Sequence, residues 1–254
     1  MSYGLKYILT WVSQLKGDYR IEVLKKGYTG VAVTKKMGGA PILVIDNSGS
    51  GIKGTSLQFT IQADTDGELN ELYTTDSKMY KVLLYRDGSV IWSGYLLQEL
   101  YSEEYIAPPY DVAVTATDQL ALLKDAPYTP SGRVSIFEII RKAVAPTMLE
   151  LDYVVQCSLR PSAVSANQPF LKDVTVDDRA FENLSCYEVL EGVMGSINMS
   201  LQQSANAWYL VRENDTQAQL YRYSSSLQYI GSSAAVATQI GQMYTNEVWP
   251  VGSL

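Results

Sequence analysis

The sequence predicts an α+β protein in which β-structure predominates. We expect an N-terminal antiparallel, tube-like β-barrel or sandwich, followed by helix–strand α+β units. In the first half, apolar and polar residues alternate with a period of two between turn signals. In the second half, apolar residues recur with helical spacing after capping residues. The 254 residues, 46% of them hydrophobic and 19% charged, suffice for two ordinary domains, which we predict at residues 1–125 and 126–254.

The strand prediction rests on segments that alternate between turns. Residues 57–63, LQFTIQA, alternate strictly, and the turn-forming residues 64–67 follow them. Residues 80–85 and 90–97 flank an Asp-Gly pair at 87–88, which indicates a β-hairpin. Alternation around Val112, Val114 and Ala116 adds a further strand, and the glycine-rich residues 37–54 predict a long loop around a short apolar strand at 42–45. Several antiparallel strands at this spacing favour a small barrel or sandwich.

The helix prediction rests on two similar capping signals. Residues 135–138 read Ser-Ile-Phe-Glu and residues 185–188 read Ser-Cys-Tyr-Glu. In such a capping box, the serine side chain accepts from a backbone N–H and the glutamate reaches back to the first residue. We therefore predict helices at about 135–145 and 185–195, and a shorter one at 118–124 capped by Thr117 or Asp118. The strand-like segments 149–159 and 197–212 follow the two longer helices.

The composition argues against several functional classes. The chain has no histidine, which removes the commonest general base and the commonest metal ligand. A net charge of −7 argues against a protein that grips nucleic acid, because such proteins need clustered Lys and Arg. Cys157 and Cys186 have no metal-ligand spacing, and we expect two reduced core thiols. The N-terminus carries no export signal, so we expect synthesis in the cytoplasm and no membrane insertion by this chain.

Acidic clusters are the remaining candidates for chemistry. Glu103-Glu104 and Asp177-Asp178 are neighbours in sequence, but adjacent residues of a strand point to opposite faces, which disfavours an acid/base pair. Residues 64–68, Asp-Thr-Asp-Gly-Glu, only partly match a calcium loop because the other ligand positions are missing. We therefore expect no enzyme activity, no cofactor and no metal.

Tyrosine is unusually frequent, with 19 Tyr against 4 Phe. Tyrosine combines apolar area with a polar tip, which suits surfaces that become subunit interfaces. Half-buried strands also favour tyrosine. The sequence leaves both explanations open.

Several segments follow one another in a characteristic order. Residues 112–123 run from a strand through Ala-x-Asp-x-Leu into a short helix, and residues 85–94 form the hairpin before it. Helices with a central Glu between apolar pairs follow at 135–140 and 184–190, and then the aromatic-rich strand Trp208-Tyr209-Leu210-Val211. As an order of elements over most of residues 1–215, this resembles the baseplate hub proteins of long-tailed phages and contractile injection systems. The opening Ser-Tyr-Gly-Leu-Lys-Tyr is similar to tail proteins of phages and prophages of gut Bacteroidetes.

The resemblance implies a mechanical role. Hub proteins form trimers that join the tail tube to the spike and line the channel, so we expect a homotrimer in the virion tail, assembled in the host cytoplasm. Tail tube, distal tail and spike proteins would be its partners, and DNA would pass without specific binding. We predict that the oligomer interface lies near the regular strands, at Phe59, Tyr80, Tyr85, Trp92 and Tyr95.

Two alternatives remain open on the sequence. One is a distal tail or tail-completion ring protein, which would be hexameric where a hub is trimeric. The other is a carbohydrate-binding surface or adhesin module, in which exposed Tyr and Trp stack on sugars. A clean signal on glycan arrays would favour the adhesin.

Overall fold

The computed structural model describes residues 2–13, 16–46, 51–97, 107–157, 170–212 and 219–234. In these ranges most of the regular structure is β-strand, which confirms the predicted α+β class with β-structure predominant. The helices are α1 (Ile136–Val144) and α2 (Cys186–Ile197). The strands are β1 (Tyr3–Val12), β2 (Asp18–Lys26), β3 (Val33–Thr34), β4 (Ile42–Ile45), β5 (Ile52–Lys53), β6 (Thr55–Ala63), β7 (Tyr80–Arg86), β8 (Ser89–Leu96), β9 (Tyr110–Thr117), β10 (Arg133–Ser135), β11 (Asp152–Cys157), β12 (Thr175–Asp177), β13 (Ser200–Ser204), β14 (Ala207–Val211), β15 (Gln219–Tyr223) and β16 (Tyr229–Ala234).

The chain divides into two compact units. The described part of unit 1 runs up to Ile45 and again over Thr55–Asp118, whereas unit 2 contains Asp46–Gly54 and the described residues from Gln119 onward. The loop between β4 and β6 thus belongs to unit 2, where β5 pairs in parallel with β13. Compactness alone does not show that either half folds independently, so the predicted domains 1–125 and 126–254 stay a prediction.

Unit 1 is one sheet around one core. Its eight described strands pair in the order β3-β1-β2-β7-β8-β9-β6-β4, antiparallel except for β1 with β3. Because side chains alternate along each strand, every second residue faces the core, as Leu9, Ile21 and Ile61 do. The strand ladder is open, with β3 and β4 at its ends. The fold class is thus confirmed, whereas a closed barrel, one of its two predicted forms, is not.

Unit 2 packs its helices against a sheet with the strand order β16-β15-β11-β14-β13-β5 among the described residues. The Phe137 ring of α1 lies edge-on to Tyr153 of β11 and Tyr223 of β15, with centroids 5.3 and 5.0 Å apart. Such edge-to-face aromatic contacts stabilise a core beyond the apolar area they bury. The short strands β10 and β12 form a separate antiparallel pair.

The capping signals are realised to different extents. At α2 the Ser185 side chain accepts from the Glu188 N–H, and the Glu188 carboxylate accepts from the Ser185 N–H, so the predicted capping box is complete. At α1 the Ser135 side chain accepts from the Glu138 N–H, but the Glu138 carboxylate binds Arg141 instead, so the predicted box is half formed. An arginine one turn away competes for the same carboxylate.

The predicted short helix at 118–124 forms as a 3-10 helix over Leu120–Lys124. Neither Thr117 nor Asp118 caps it, which corrects the expected cap. Gln119 occupies the cap position with φ of +68° and no side-chain hydrogen bond to the helix. Asp118 is buried and accepts from the N–H and the hydroxyl of Thr55, at 2.6 and 2.7 Å.

Candidate assembly surfaces and charge clusters

Four of the five predicted interface residues lie inside unit 1. Phe59, Tyr80, Trp92 and Tyr95 are each at most 3% exposed. Phe59, Tyr80 and Trp92 belong to the core that the sheet encloses. Their side chains therefore have almost no exposed surface in the single chain, and the oligomer interface at these five positions stays a prediction.

Buried polar atoms explain how these aromatic residues are held. The Trp92 indole N–H donates to the Thr55 hydroxyl at 2.8 Å, and the Tyr80 hydroxyl donates to the Glu71 carbonyl at 2.8 Å. Tyr85 is half-buried, with the Arg20 guanidinium 4.2 Å from its ring centroid. A cation over an aromatic face is attracted by the ring quadrupole. Tyr85 thus has the half-buried strand position that is one of the two explanations for frequent tyrosine.

Glu71 is the centre of a cluster of polar side chains in unit 1. Its carboxylate accepts from the Tyr7 hydroxyl at 2.6 Å and binds the ammonium groups of Lys6 and Lys25. Burial opposes ionisation, but these three donors outweigh it and hold the pKa of Glu71 at about 2. Each donor already has its carboxylate partner, so the cluster stabilises the fold and leaves no free acid or base.

The acidic loop at residues 64–68 binds a lysine from another segment of the chain. The buried Lys35 ammonium lies 2.9 Å from the Asp64 carboxylate and 2.5 Å from that of Glu68. Burial lowers the pKa of Lys35, but the hydrogen bonds to Glu68 and Asp64 outweigh it and raise the pKa above its usual value. Within the described ranges, no group of three His, Cys, Asp or Glu side chains could hold a metal ion.

Asp177 and Asp178 have separate partners, because Asp177 ends β12 whereas Asp178 begins a 3-10 helix. Asp177 forms an exposed ion pair with Arg179 at 2.6 Å. Asp178 is fully buried and accepts from the Lys142 ammonium at 2.6 Å, from the Tyr128 hydroxyl at 3.0 Å, and from the N–H groups of Ser131 and Gly132. Burial opposes ionisation, but these donors lower the pKa of Asp178 to about 2. The two carboxylates do not form an acid/base couple.

The remaining sequence candidates are an acidic pair and two cysteines. Glu103-Glu104 and the side chain of Cys157 lie outside the described residues. Cys186 is buried at the start of α2 as a free thiol, and burial raises its pKa above the ordinary value. No helix in the described ranges has the length and apolar character needed to span a bilayer.

Exposed apolar residues on β4 and at the outer end of β1 are a feature that the sequence did not predict. On β4, Ile42 and Val44 are 38% and 39% exposed, while Leu43 packs against the core. On β1, Val12 is 57% exposed and its neighbour Trp11 packs against the core. Natural end strands usually carry charges, Pro or bulges that discourage pairing, and β4 reads only Ile-Leu-Val-Ile. The uncharged sequence of β4 within the glycine-rich segment was the signal from which this exposed apolar strand could have been predicted.

A groove of about 410 Å³ adjoins the outer end of β1. Trp11 and Tyr19 stack within it, with ring centroids 5.3 Å apart, and Arg20 and Tyr85 form another part of its wall. The groove also includes Val12 and Asp18, so its wall combines apolar and charged side chains beside the outer end of β1.

Comparisons with known proteins find several solved structures that are similar to this chain. No family model matches the chain, and no curated protein does. The 43 kDa tail protein of prophage MuSo2 from Shewanella oneidensis is similar at a TM-score of 0.44 and 14% identity, over 78% of this chain and 56% of that one. A tail protein from Neisseria meningitidis MC58 is similar at 0.45 and 13%, over 76% and 50%.

Prophage tail protein gp18 from Listeria monocytogenes EGD-e is similar at a TM-score of 0.36 and 10% identity, over 68% of this chain and 43% of that one. The chain thus spans between 43% and 56% of the length of these three structures. All three are tail proteins, and two of them come from prophages.

Proposed function

We propose that this chain is a structural subunit of a phage tail, and more specifically of the baseplate hub. Its copies would form a ring that joins the tail tube to the spike and lines the channel. The observation that carries the proposal is the order of elements: β9 runs into the 3-10 helix at Leu120–Lys124, the capped helices α1 and α2 follow, and β14 carries Trp208-Tyr209-Leu210-Val211. This is the order on which the resemblance to hub proteins rests.

The surface chemistry of unit 1 supports a channel wall. On β6 and β9, the residues that point away from the core are almost all uncharged, and Asp111 is the one charged member of the set. They are Ser56, Gln58, Thr60, Gln62, Asp111, Ala113, Thr115 and Thr117. We propose that DNA passes this part of the face without binding, because β6 and β9 offer no cation that could replace the counterions of its phosphates. In this structural role, we propose no reaction, cofactor or metal for the chain.

Electron microscopy of the purified full chain tests this function. A hub subunit forms closed rings with threefold symmetry. Sixfold rings would contradict the hub and favour the alternative of a distal tail or tail-completion protein. Fields of single particles without rings, at concentrations where tail proteins assemble, would contradict both. Binding to glycan arrays without ring formation would instead support the adhesin alternative.

A further inference from the structure

Unit 2 contains a groove of about 510 Å³, which we call the unit 2 groove. Its lining residues come from the end of α1, from the segment that leads into β11 and from the turn between β15 and β16. All three segments belong to the described part of unit 2. Binding sites in proteins often have this size, with walls that are largely apolar and a few polar groups that fix the ligand.

The walls of the unit 2 groove are mainly apolar. Val144, Leu149 and Leu151 line it and are almost fully buried, whereas Met148 is 61% exposed. The backbone of Met148 has a φ of +57°, in the left-handed region that residues other than glycine rarely adopt. Methionine is flexible and polarisable, and it is frequent at surfaces that bind other proteins. An exposed Met148 beside buried leucines therefore offers an apolar contact to a bound group.

Tyr153 adds a hydroxyl without a partner. This residue lines the groove and is only 3% exposed. No group of the described chain forms a hydrogen bond with its hydroxyl, and that oxygen is not sealed from solvent. Burial raises the pKa of Tyr153 above its usual value, so at neutral pH the hydroxyl stays protonated and can donate or accept. Buried tyrosine hydroxyls usually have a partner, which a ligand in the groove would supply.

The charged residues at the groove favour a cation. Arg141 is the one cation among the described lining residues, and its guanidinium already donates two N–H groups to the Glu138 carboxylate. Glu150 also lines the groove, is exposed and pairs with no cation of the described chain. The N–H of Ser225, another lining residue, donates to the Asp152 carboxylate at 3.1 Å, so a second anion lies close by.

We propose that the unit 2 groove binds a lysine side chain from a basic segment of a different protein. The apolar stem of the lysine would pack on Met148 and the buried leucines, and its ammonium would donate to the Glu150 carboxylate and the Tyr153 hydroxyl. An ammonium is a compact cation with three donors, which suits two acceptors on different segments. The net charge of −7 favours the approach of a basic partner. Binding in this groove does not require that copies of the chain assemble.

A short peptide tests the site on the immobilised full chain by surface plasmon resonance. The probe is acetyl-Leu-Lys-Leu-amide, and the control is the same peptide with its lysine acetylated, which keeps the stem and removes the charge. The probe should bind with a dissociation constant of about 1 mM, roughly tenfold more tightly than the control. Equal affinity of the two peptides would overturn the proposal, and so would tighter binding of acetyl-Leu-Glu-Leu-amide.

Variants of the lining residues locate the binding. Glu150→Gln removes the anion at nearly constant shape and should weaken binding of the lysine peptide at least about fivefold. Tyr153→Phe removes only the hydroxyl, keeps the ring against Phe137, and should weaken it about threefold. Glu191→Gln, at an exposed position of α2, is the matched control and should bind like wild type. Circular dichroism during thermal unfolding checks that each variant is folded. Unchanged binding by folded Glu150→Gln and Tyr153→Phe would overturn the site.

The mass in solution separates a different protein from a second copy as the source of the lysine. Glu150→Gln should have the same mass as wild type at every protein concentration, because the lysine comes from another protein. A lower mass for the variant would mean that the groove receives a lysine of a second copy, and would overturn the proposed partner. Rings without peptide binding would leave the proposed function standing, whereas peptide binding by a monomer would leave this inference standing.

Discussion

Each unit buries a charged side chain that forms an ion pair, a cation in unit 1 and an anion in unit 2. Unit 1 buries the cation of Lys35, whose side chain is 4% exposed, between the carboxylates of Asp64 and Glu68. Unit 2 buries the anion of Asp178, whose side chain is 0% exposed, against Lys142 and two backbone N–H groups. Each charge ties an irregular segment of its unit to a regular part of the fold.

The two buried charges differ in how far their partners remain exposed to water. Asp64 is 64% exposed, so its carboxylate remains solvated if Lys35 is lost. The donors around Asp178 include the backbone N–H groups of Ser131 and Gly132, which are only partly accessible and would lose their acceptor. A buried donor left without an acceptor costs more than an exposed charge left without a partner. The cluster around Asp178 should therefore contribute more to the free energy of unfolding than the cluster around Lys35.

The largest effect should follow from removing the anion of unit 2. Asp178→Ala leaves the ammonium of Lys142 and the N–H groups of Ser131 and Gly132 without their acceptor. We expect the free energy of unfolding to fall by about 3–5 kcal/mol. Urea denaturation followed by circular dichroism measures it. A loss below about 1 kcal/mol would show that water replaces the carboxylate easily.

The contribution of the Asp178 cluster to the free energy of unfolding should also depend on pH. The pKa of Asp178 falls from 3.8 in the unfolded chain to about 2 in the folded one. Stability from a depressed carboxyl pKa is complete above the unfolded value and is lost as the pH falls through the folded value. Wild type should therefore lose about 2 kcal/mol more than Asp178→Asn between pH 5 and pH 2. Unfolding free energies measured across that range test this, and parallel pH profiles would contradict it.

Removing the cation of unit 1 should cost less. Lys35→Met keeps the apolar stem and leaves Asp64 and Glu68 in contact with water. We expect a loss of about 1–2 kcal/mol in the free energy of unfolding. Lys36→Met, at the exposed neighbouring position, is the control and should change it by less than about 0.5 kcal/mol. A larger loss for Lys35→Met than for Asp178→Ala would reverse the comparison between the units.

The smallest expected effect distinguishes the two helices of unit 2. Ser185→Ala removes a complete capping box, whereas Ser135→Ala removes a single side-chain bond because Glu138 is held by Arg141. Losing a serine N-cap costs about 1 kcal/mol, and we expect Ser185→Ala to exceed Ser135→Ala by a few tenths of that. Thermal unfolding of the two variants side by side measures the difference. Equal losses would mean that the reciprocal glutamate adds nothing.

Local patterns in the sequence predicted much of the fold. The alternation in residues 57–63 corresponds to β6, and the Asp-Gly pair at 87–88 joins β7 to β8. Both helices begin at their predicted serine caps. These features depend on residues that are neighbours in sequence, where periodicity and capping chemistry act directly.

The rest depends on pairings between distant residues. Lys35 meets Asp64 and Glu68 across 29 and 33 positions, and this contact follows from the register of the sheet rather than from any local pattern. Residue type alone also did not separate core from interface: Trp92 suits both, and its burial depends on which face of β8 turns inward. The opposite error occurred at β4, where a short apolar run predicted a strand but not that Ile42 and Val44 would remain exposed.

Association between copies is the central claim, and the mass of the wild-type chain in solution tests it most directly. Sedimentation equilibrium of the full 28.1 kDa chain should give three times the monomer mass, stable over a range of protein concentrations. A mass that stays at 28.1 kDa up to the highest concentration reached would contradict it.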